Sequence, residues 1–569
     1  MTADGMEGQE TVDLLVIGAG PAGMAAAIFA RLKGLDVRLV EKTEHVGGTG
    51  ATSAGTLWIP ENSQGKAAGE RDSIPEAAAY LDSLIATHTP RTRRRRAAYL
   101  ESGVEAIDFL QANTEVKFLP CGVHPDYHAK PGAAVSGRAI VPAPFDGRVL
   151  GRDFERVRPP IPEFMVFGGM MVGKMDIPRL VGRFRSPGNF LYAAGLFLRY
   201  LTDRLRFSRG TRLVMGNALV ARMLHSLLTL GVRPAFGTAL DELTVEDGRV
   251  TGATVTGPEG TQPIVARRGV VLATGGFAHD DGYRKRLMPE PTPAFSLASE
   301  ADRGDGVAAA EALGARIDAT ENGSGGFWTP VSVTRRADGS RGLFPHLSLD
   351  RAKPGLIAVN RAGRRFCNEA DSYHDFVEAM YRSGNGTAIP AWLICDAGFI
   401  ARYGLGHIHP GTRNLEYHVA SGYLVRGSGP GALATALGID ADGFRATLER
   451  YNEQAARGVD EDFDKGHSAL NRFNGDPAVG PNPCLAPIGP GELYAMEVWP
   501  AEIACSAGLS TDEDARVVDA DERPIPGLFA CGNDMASVMA DSYPGPGTTL
   551  GPAVVFAWRA VNAALRDPD

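Results

Sequence analysis

The feature that most constrains what this chain can fold into lies near its start. Val12–Val16 is mostly β-branched and aliphatic, Gly18-Ala19-Gly20-Pro21-Ala22-Gly23 follows, and the alanine-rich Met24–Ile28 comes next. That order predicts a strand, a glycine turn and a helix. In such a unit Gly18 permits the tight turn, Gly20 leaves room for a pyrophosphate, and Gly23 lets the helix pack closely on the strand. The helix N-terminus, with free N–H groups and the positive end of its dipole, then favours the phosphates. A second strand, Val37–Val40, ends at Glu41, where an acid accepts hydrogen bonds from ribose hydroxyls and where an NADP site would prefer a base. The expectation is a dinucleotide site at the edge of a parallel sheet.

Three further stretches bear on which dinucleotide it is. Gly47–Gly55 offers small residues and hydroxyls against which a large planar ring system can lie. Val270–Gly276 is a strand running into a glycine turn, and Gly527–Asp534 repeats that form near the C-terminus. Together they resemble the flavoprotein pattern shared by succinate dehydrogenases, fumarate reductases and ketosteroid dehydrogenases, and the resemblance runs over nearly the whole chain. It implies an α/β fold: a discontinuous Rossmann-type FAD-binding domain with an inserted α+β substrate-capping domain. The implied boundaries are 11–300 and 490–569 for the FAD-binding domain, with a helical insertion near 160–212, and 301–489 for the capping domain. The resemblance also implies non-covalent FAD held by Gly18, Ala19, Gly20, Ala22, Gly23, Glu41, Lys42, Gly48, Thr49, Thr52, Ser53, Gly55, Ala239, Ala273, Thr274, Gly275, Asn533, Asp534, Thr549 and Leu550. Gly47–Gly55 contains no histidine for the covalent flavin link of the respiratory relatives.

The most specific stretch is Ser542-Tyr543-Pro544-Gly545-Pro546-Gly547-Thr548-Thr549-Leu550-Gly551-Pro552. A proline- and glycine-rich turn fixes the backbone, and an apolar helix begins with Ala553–Phe556. Amides at that helix start are expected to face the flavin and stabilise charge on the reduced ring, while Tyr543 and the Gly547 amide converge on one acceptor oxygen. The stretch closely resembles the C-terminal motif of 3-ketosteroid 1-dehydrogenases, in which the tyrosine and the glycine amide hold the steroid C3 carbonyl. By the same resemblance Tyr373, downstream of Arg364–Glu369, takes the place of the general base, and Tyr127, in Pro125–His128, that of the tyrosine supporting it. Read alone, each tyrosine is equally a buried side chain whose hydroxyl has found a partner.

The implied reaction explains the residue types. Taking hydrogen from C1 and C2 of a 3-ketosteroid requires a C2 proton to leave while a hydride passes from C1 to flavin N5. Donors on the ketone stabilise the developing enolate, and a tyrosinate takes the proton, although a free tyrosine titrates near 10 and needs help. Rival readings are a desaturase of smaller cyclic ketones, using the same tyrosines, and a fumarate-type enzyme. The latter requires cationic clamps on two carboxylates, whereas the C-terminal turn offers a tyrosine and glycines.

Composition sets the remaining limits. The formal net charge of -9 disfavours nucleic acid as a partner. Six cysteines show no CxxC pair and no Cys/His zinc spacing, so no metal site and reduced thiols in a cytoplasmic protein are expected. Neither a secretion signal nor an apolar run of about 18 residues is present. Arg91 and Arg93–Arg96 open a helix whose basic face is expected to be solvated. Residues 183–212 combine Phe190–Leu198 with Arg199, Arg204, Arg206, Arg209 and Arg212. They fit a solvated or ordinary core helix, the favoured reading, or an amphipathic helix in peripheral contact with a membrane. The partners implied are a 3-ketosteroid and an electron acceptor, a quinone or dye-like molecule.

Overall fold

The opening segment forms the expected unit: strand Glu10–Ile17, a turn at Gly18, helix Pro21–Leu32 and strand Val37–Glu41. A computed structural model describes residues 10–566 apart from 87, 174–175, 320–322, 337, 348–349 and 385. The alanines of Pro21–Leu32 let it lie buried almost throughout against the sheet and the C-terminal helix Leu550–Arg566. The eight-stranded sheet beneath has the order Ala235–Phe236, Val37–Glu41, Glu10–Ile17, Gly260–Leu272, Arg249–Gly257 and Ala239–Glu246, with Pro524–Ala530 also pairing on Gly260–Leu272. Val37–Glu41, Glu10–Ile17, the end of Gly260–Leu272 and Pro524–Ala530 run parallel. Their C-terminal ends therefore bring Glu41, Gly18, Ala273 and Cys531 to one edge, the place where open parallel sheets bind ligands.

A second, seven-stranded sheet has the order Arg341–Pro345, Gly326–Arg335, Leu493–Cys505, Ala391–Asp396 and Ile357–Val359. Phe295–Ser296 and Val425–Gly427 also pair with Leu493–Cys505. Two apolar cores lie against this sheet, separate from the core of the first. Strand pairing bears on where the chain returns to the first sheet, expected at residue 490. Leu493–Cys505 is the strand on which the capping sheet is assembled, and Phe295–Ser296, expected before the boundary at 300, pairs with it. By strand pairing, the chain rejoins the first sheet only with Arg516–Val518 and Pro524–Ala530.

The first basic cluster differs from expectation, and the second excludes one part of its favoured reading. In helix Pro90–Asn113, Arg91, Arg95 and Arg96 are buried. Arg91 pairs with Asp318 at 2.9 Å and Arg95 donates to the Ala536 carbonyl, so this face packs on the body instead of meeting solvent. Helix Pro187–Asp203 buries only Tyr200 and Asp203, which removes the core-helix reading. Among the described residues no helix is long and apolar enough to cross a membrane, and no cluster of side chains could hold a metal ion. All six cysteines are free thiols.

Candidate active site

At the edge of the first sheet, Gly18 has φ 101°, and a Cβ there would stand 2.2 Å from the Ala273 carbonyl oxygen. Only glycine permits this approach of two turns. Gly20 faces open space and lines a continuous cavity of about 2610 Å³. The cavity is also lined by Gly18, Ala22, Glu41, Lys42, Gly48, Thr49, Thr52, Ser53, Gly55, Ala273, Thr274, Gly275, Asn533, Thr549 and Leu550, and by Tyr127, Tyr373, Tyr543 and Gly547.

Four residues expected at the cofactor do not line the cavity, each for a visible reason. The Ala19 amide donates to Glu41 Oε2 at 2.9 Å. A Cβ on Gly23 would sit 1.8 Å from the Gly18 carbonyl oxygen, so this glycine serves the helix–turn packing. Ala239 begins an edge strand between the lining residues Thr238 and Leu240. Asp534 is buried behind the wall and accepts from Thr274 Oγ1 at 2.8 Å and the Gly276 amide at 2.9 Å, bracing the glycine turn. Glu41 does more than face the cavity. Besides the Ala19 amide, it accepts from the amide and hydroxyl of Thr43 at 2.9 and 2.8 Å. It locks the glycine loop to the strand end before any ribose is bound.

Other residues at this edge carry no sequence signal. Thr49 Oγ1 donates to Asp302 at 2.8 Å and accepts the Ser299 amide at 2.7 Å, across some 250 residues of chain. Burial pushes the Asp302 carboxyl up to about 8. Lys42 pairs with Asp305. Arg158 turns its guanidinium toward Asp302, Glu300 and Glu41, with Nη1 buried and without a partner. An open glycine cradle beside a buried, unbonded guanidinium N–H fits a dinucleotide carrying a pyrophosphate.

At the other end of the cavity three rings meet. Tyr127 and Tyr543 stack at 5.6 Å, and Tyr373 stands edge-on to both at 5.6 and 5.3 Å. Tyr127 Oη donates to Tyr373 Oη at 3.3 Å. Phe327 closes the back of Tyr543 at 5.2 Å. The loop carrying Tyr543 is clamped through the Pro544 carbonyl, which accepts from Tyr80 Oη at 2.6 Å and from the Tyr127 amide at 2.8 Å. Beneath it, Asp126 accepts from Trp58 Nε1 at 2.8 Å and from Arg138 at 2.6 Å. Burial raises the Asp126 carboxyl to about 6 despite these donors. Gly547 has φ 97°, and a Cβ would stand 2.5 Å from the Leu57 carbonyl carbon and the Trp58 nitrogen. Its carbonyl accepts from Trp58 and Gly551, and no acceptor among the described residues takes its amide.

Tyr373 is the first residue of helix Tyr373–Arg382. Ser372 caps the helix, accepting from the Asp375 amide at 3.1 Å and donating to the Asp375 carboxylate at 2.8 Å. The tyrosine thus sits at the positive end of a helix dipole, which favours its anion. Burial works the other way and raises Tyr373 well above the usual tyrosine range. Tyr127 adds to that, whereas a hydrogen bond from Tyr543 and the charge of Arg351 pull it down. Tyr543 and Tyr127 are likewise pushed up by burial. Burial thus favours the protonated form of all three, while the helix dipole and the charge of Arg351 act in the opposite sense on Tyr373.

Taken together, a Rossmann-type edge with a glycine cradle, opening into an apolar chamber of tyrosines, defines an FAD-dependent oxidoreductase. Comparison with known proteins narrows this. The FAD binding domain family model matches residues 13–550. A 4-oxocyclohex-2-ene-1-carboxylate 5-dehydrogenase of Sinomonas cyclohexanicum is 39% identical, covering 97% of this chain and 94% of that one. A 3-oxosteroid 1-dehydrogenase of Mycolicibacterium smegmatis is 37% identical over 98% and 97% of the two chains. The crystal structure of 3-ketosteroid delta1-dehydrogenase from Sterolibacterium denitrificans, in complex with 1,4-androstadiene-3,17-dione, matches with a TM-score of 0.89 at 37% identity, covering 98% of this chain and all of that one. The chain belongs to the 3-ketosteroid 1-dehydrogenase family of FAD-dependent enzymes.

Proposed function

We propose that this enzyme removes hydrogen from C1 and C2 of 3-ketosteroids, and that the observation carrying this reading is the convergence of three tyrosines and the unengaged Gly547 amide on one large apolar cavity. Tyr543 Oη and the Gly547 N–H hold the ketone oxygen and stabilise the enolate as it develops. Tyr373, as tyrosinate, takes the C2 proton and becomes neutral, with Tyr127 setting the position of its oxygen. The residues of the sheet edge would hold FAD without a covalent bond, and bound there it would supply the acceptor for the C1 hydride.

Size and charge support a steroid. The cavity extends from the tyrosines past Phe164, Phe167, Phe344 and Phe197 to the Phe184 rim. Several cations lining it are engaged elsewhere: Arg212 by Asp176, Arg402 by Asp476, Lys42 by Asp305, and Arg351 by four carbonyls. A carboxylate-bearing ring, as in the name of the Sinomonas relative, remains the second reading, favoured by that relative's 39% identity. Anaerobic titration separates them. We expect a 3-ketosteroid to bleach the flavin, and 4-oxocyclohexanecarboxylate and fumarate to leave it oxidised. Bleaching by the keto acid alone overturns the steroid assignment.

We also propose that the helical insertion docks on an anionic lipid surface, from which a sterol-like substrate reaches the cavity. Phe184, Leu205, Leu191, Phe167 and Leu198 are 80, 83, 70, 66 and 61% exposed, and Arg179, Arg183, Arg185, Arg204 and Arg206 are exposed among them. Apolar side chains edged by arginines match an interfacial helix pair better than a solvated face.

A further inference from the structure

Behind the loop that carries Tyr373 lies a cation that neither the substrate nor the cofactor reading uses. Arg351 is 1% exposed. Its Nε donates to the His346 carbonyl at 2.8 Å and its Nη2 to the Leu347 carbonyl at 2.8 Å. Its Nη1 spans the loop itself, donating to the Glu369 carbonyl at 2.8 Å and the Asp371 carbonyl at 3.2 Å. The guanidinium also lies 5.0 Å over the ring of Phe376, on the first turn of the helix that Tyr373 begins. Among the described residues it makes no ion pair. A buried charge is strongly disfavoured unless compensated, and here four carbonyls do so together with the fields of Asp350, Asp371 and Asp375 instead of a direct ion pair.

The surrounding charges isolate the role of Arg351. Glu369 is held by Arg365 at 2.8 Å and Lys465 at 3.2 Å. Asp350 is held by His346 at 2.6 Å and by the Gly406 amide. Asp375 is bonded to Ser372 and stands 3.8 Å from His128 Nδ1. Asp371 accepts from Asn471 at 2.9 Å, and although burial lifts it to about 6 it stays mostly ionised near neutrality and acts on Arg351. Tyr127 and Tyr543 complete the surroundings of Tyr373, both uncharged. His374, the next residue, accepts the Trp328 amide at Nδ1 and faces Glu378 at 3.2 Å through Nε2; burial lowers its pKa, but Glu378 raises it overall. The Arg365, Lys465 and His346 side chains are thus paired, while Arg351 bears directly on the loop.

We infer that Arg351 is a positioning residue for the proton transfer: its fork fixes the Glu369–Asp371 backbone that presents Tyr373, and its charge, engaged in no direct ion pair among the described residues, sustains the tyrosinate. This rests on the reading of Tyr373 as the base. The two parts are separable because lysine retains the charge and loses the fork, whereas glutamine and methionine lose the charge.

The test is the pH dependence of kcat for the FAD-loaded enzyme with a 3-ketosteroid and a dye acceptor, in wild type, Arg351→Lys, Arg351→Gln and Tyr373→Phe. Flavin absorbance and melting temperature monitor folding. Activity should rise with pH as Tyr373 loses its proton. In Arg351→Gln the rising limb should move to higher pH by about one unit, lowering kcat about tenfold below the limb, with KM changed much less. Arg351→Lys should keep the limb within a few tenths of a unit while lowering kcat across the profile. Arg351→Met replaces the glutamine variant should that one fail to retain flavin. A neutral variant whose limb stays with wild type, or a lysine variant displaced as far as the neutral one, overturns the inference. If Tyr373→Phe retains the rising limb, the base assignment itself has failed, a different outcome from a limb that Tyr373 carries and Arg351 does not move.

Discussion

The three tyrosines have the same side chain and unlike surroundings, and the proposed mechanism gives each different work. In the proposed mechanism Tyr543 acts on the ketone together with the Gly547 amide, so Tyr543→Phe should lower turnover by about 10²–10³-fold and leave measurable activity. Tyr127 offers one long hydrogen bond to Tyr373, so Tyr127→Phe should cost least, under about tenfold. Both variants keep ring packing and should retain FAD and bind a steroid dienone product, as checked by flavin absorbance and product-induced spectral shifts. The glycine turn and the turn carrying Tyr543 have signatures of their own, whereas Tyr373 and Tyr127 were named only through the family resemblance; all three tyrosines line the cavity. Arg158, Asp302 and Arg351 were not legible, because they act from isolated positions that only the fold brings to the site. Glu41 was legible in part: its place at the strand end follows from the motif, but its bonds to Ala19 and Thr43 depend on how the loop closes.

At the scale of elements, the Tyr543–Leu550 turn works because its neighbours leave it one path. Gly547 holds φ 97° with backbone on one side, and Gly545 would meet the Trp58 ring at 2.8 Å if it carried a Cβ. Gly547→Ala should therefore move the turn, destabilise the fold by about 1–3 kcal/mol, and reduce turnover by more than Tyr543→Phe does. Comparing kcat and melting temperature of the two variants checks this. Helix Tyr373–Arg382 shows the same dependence, with Ser372 and Asp375 closing its first turn in a reciprocal cap. Strand Leu493–Cys505 shows where sequence reading stopped. It is an apolar run like any buried strand, and its partners lie at Gly326, Ala391 and Val425. Hydrogen bonding across such separations, not local pattern, assigns it to the capping sheet.

At the scale of the whole molecule, two sheets share one chamber, with the dinucleotide edge at one end and the tyrosines against the capping helix at the other. The α/β class was legible from the motifs, and the sheet that Leu493–Cys505 joins was not. The exposed insertion gives the chamber an apolar rim. The enzyme should co-sediment with vesicles containing phosphatidylglycerol at low salt and be released at high salt. Leu191→Ser combined with Leu198→Ser and Leu205→Ser should abolish sedimentation without altering kcat on a soluble 3-ketosteroid. Unchanged sedimentation of the triple variant would place any lipid contact elsewhere. The central claim, that Tyr373 receives the proton whose departure permits hydride transfer, is tested most directly by anaerobic stopped-flow reduction of the flavin with 4-androstene-3,17-dione. Wild type should bleach in a single turnover and release the 1,4-diene. Tyr373→Phe should bind the product yet bleach about 10²–10⁴-fold more slowly, whereas near-normal bleaching of that variant would contradict the account.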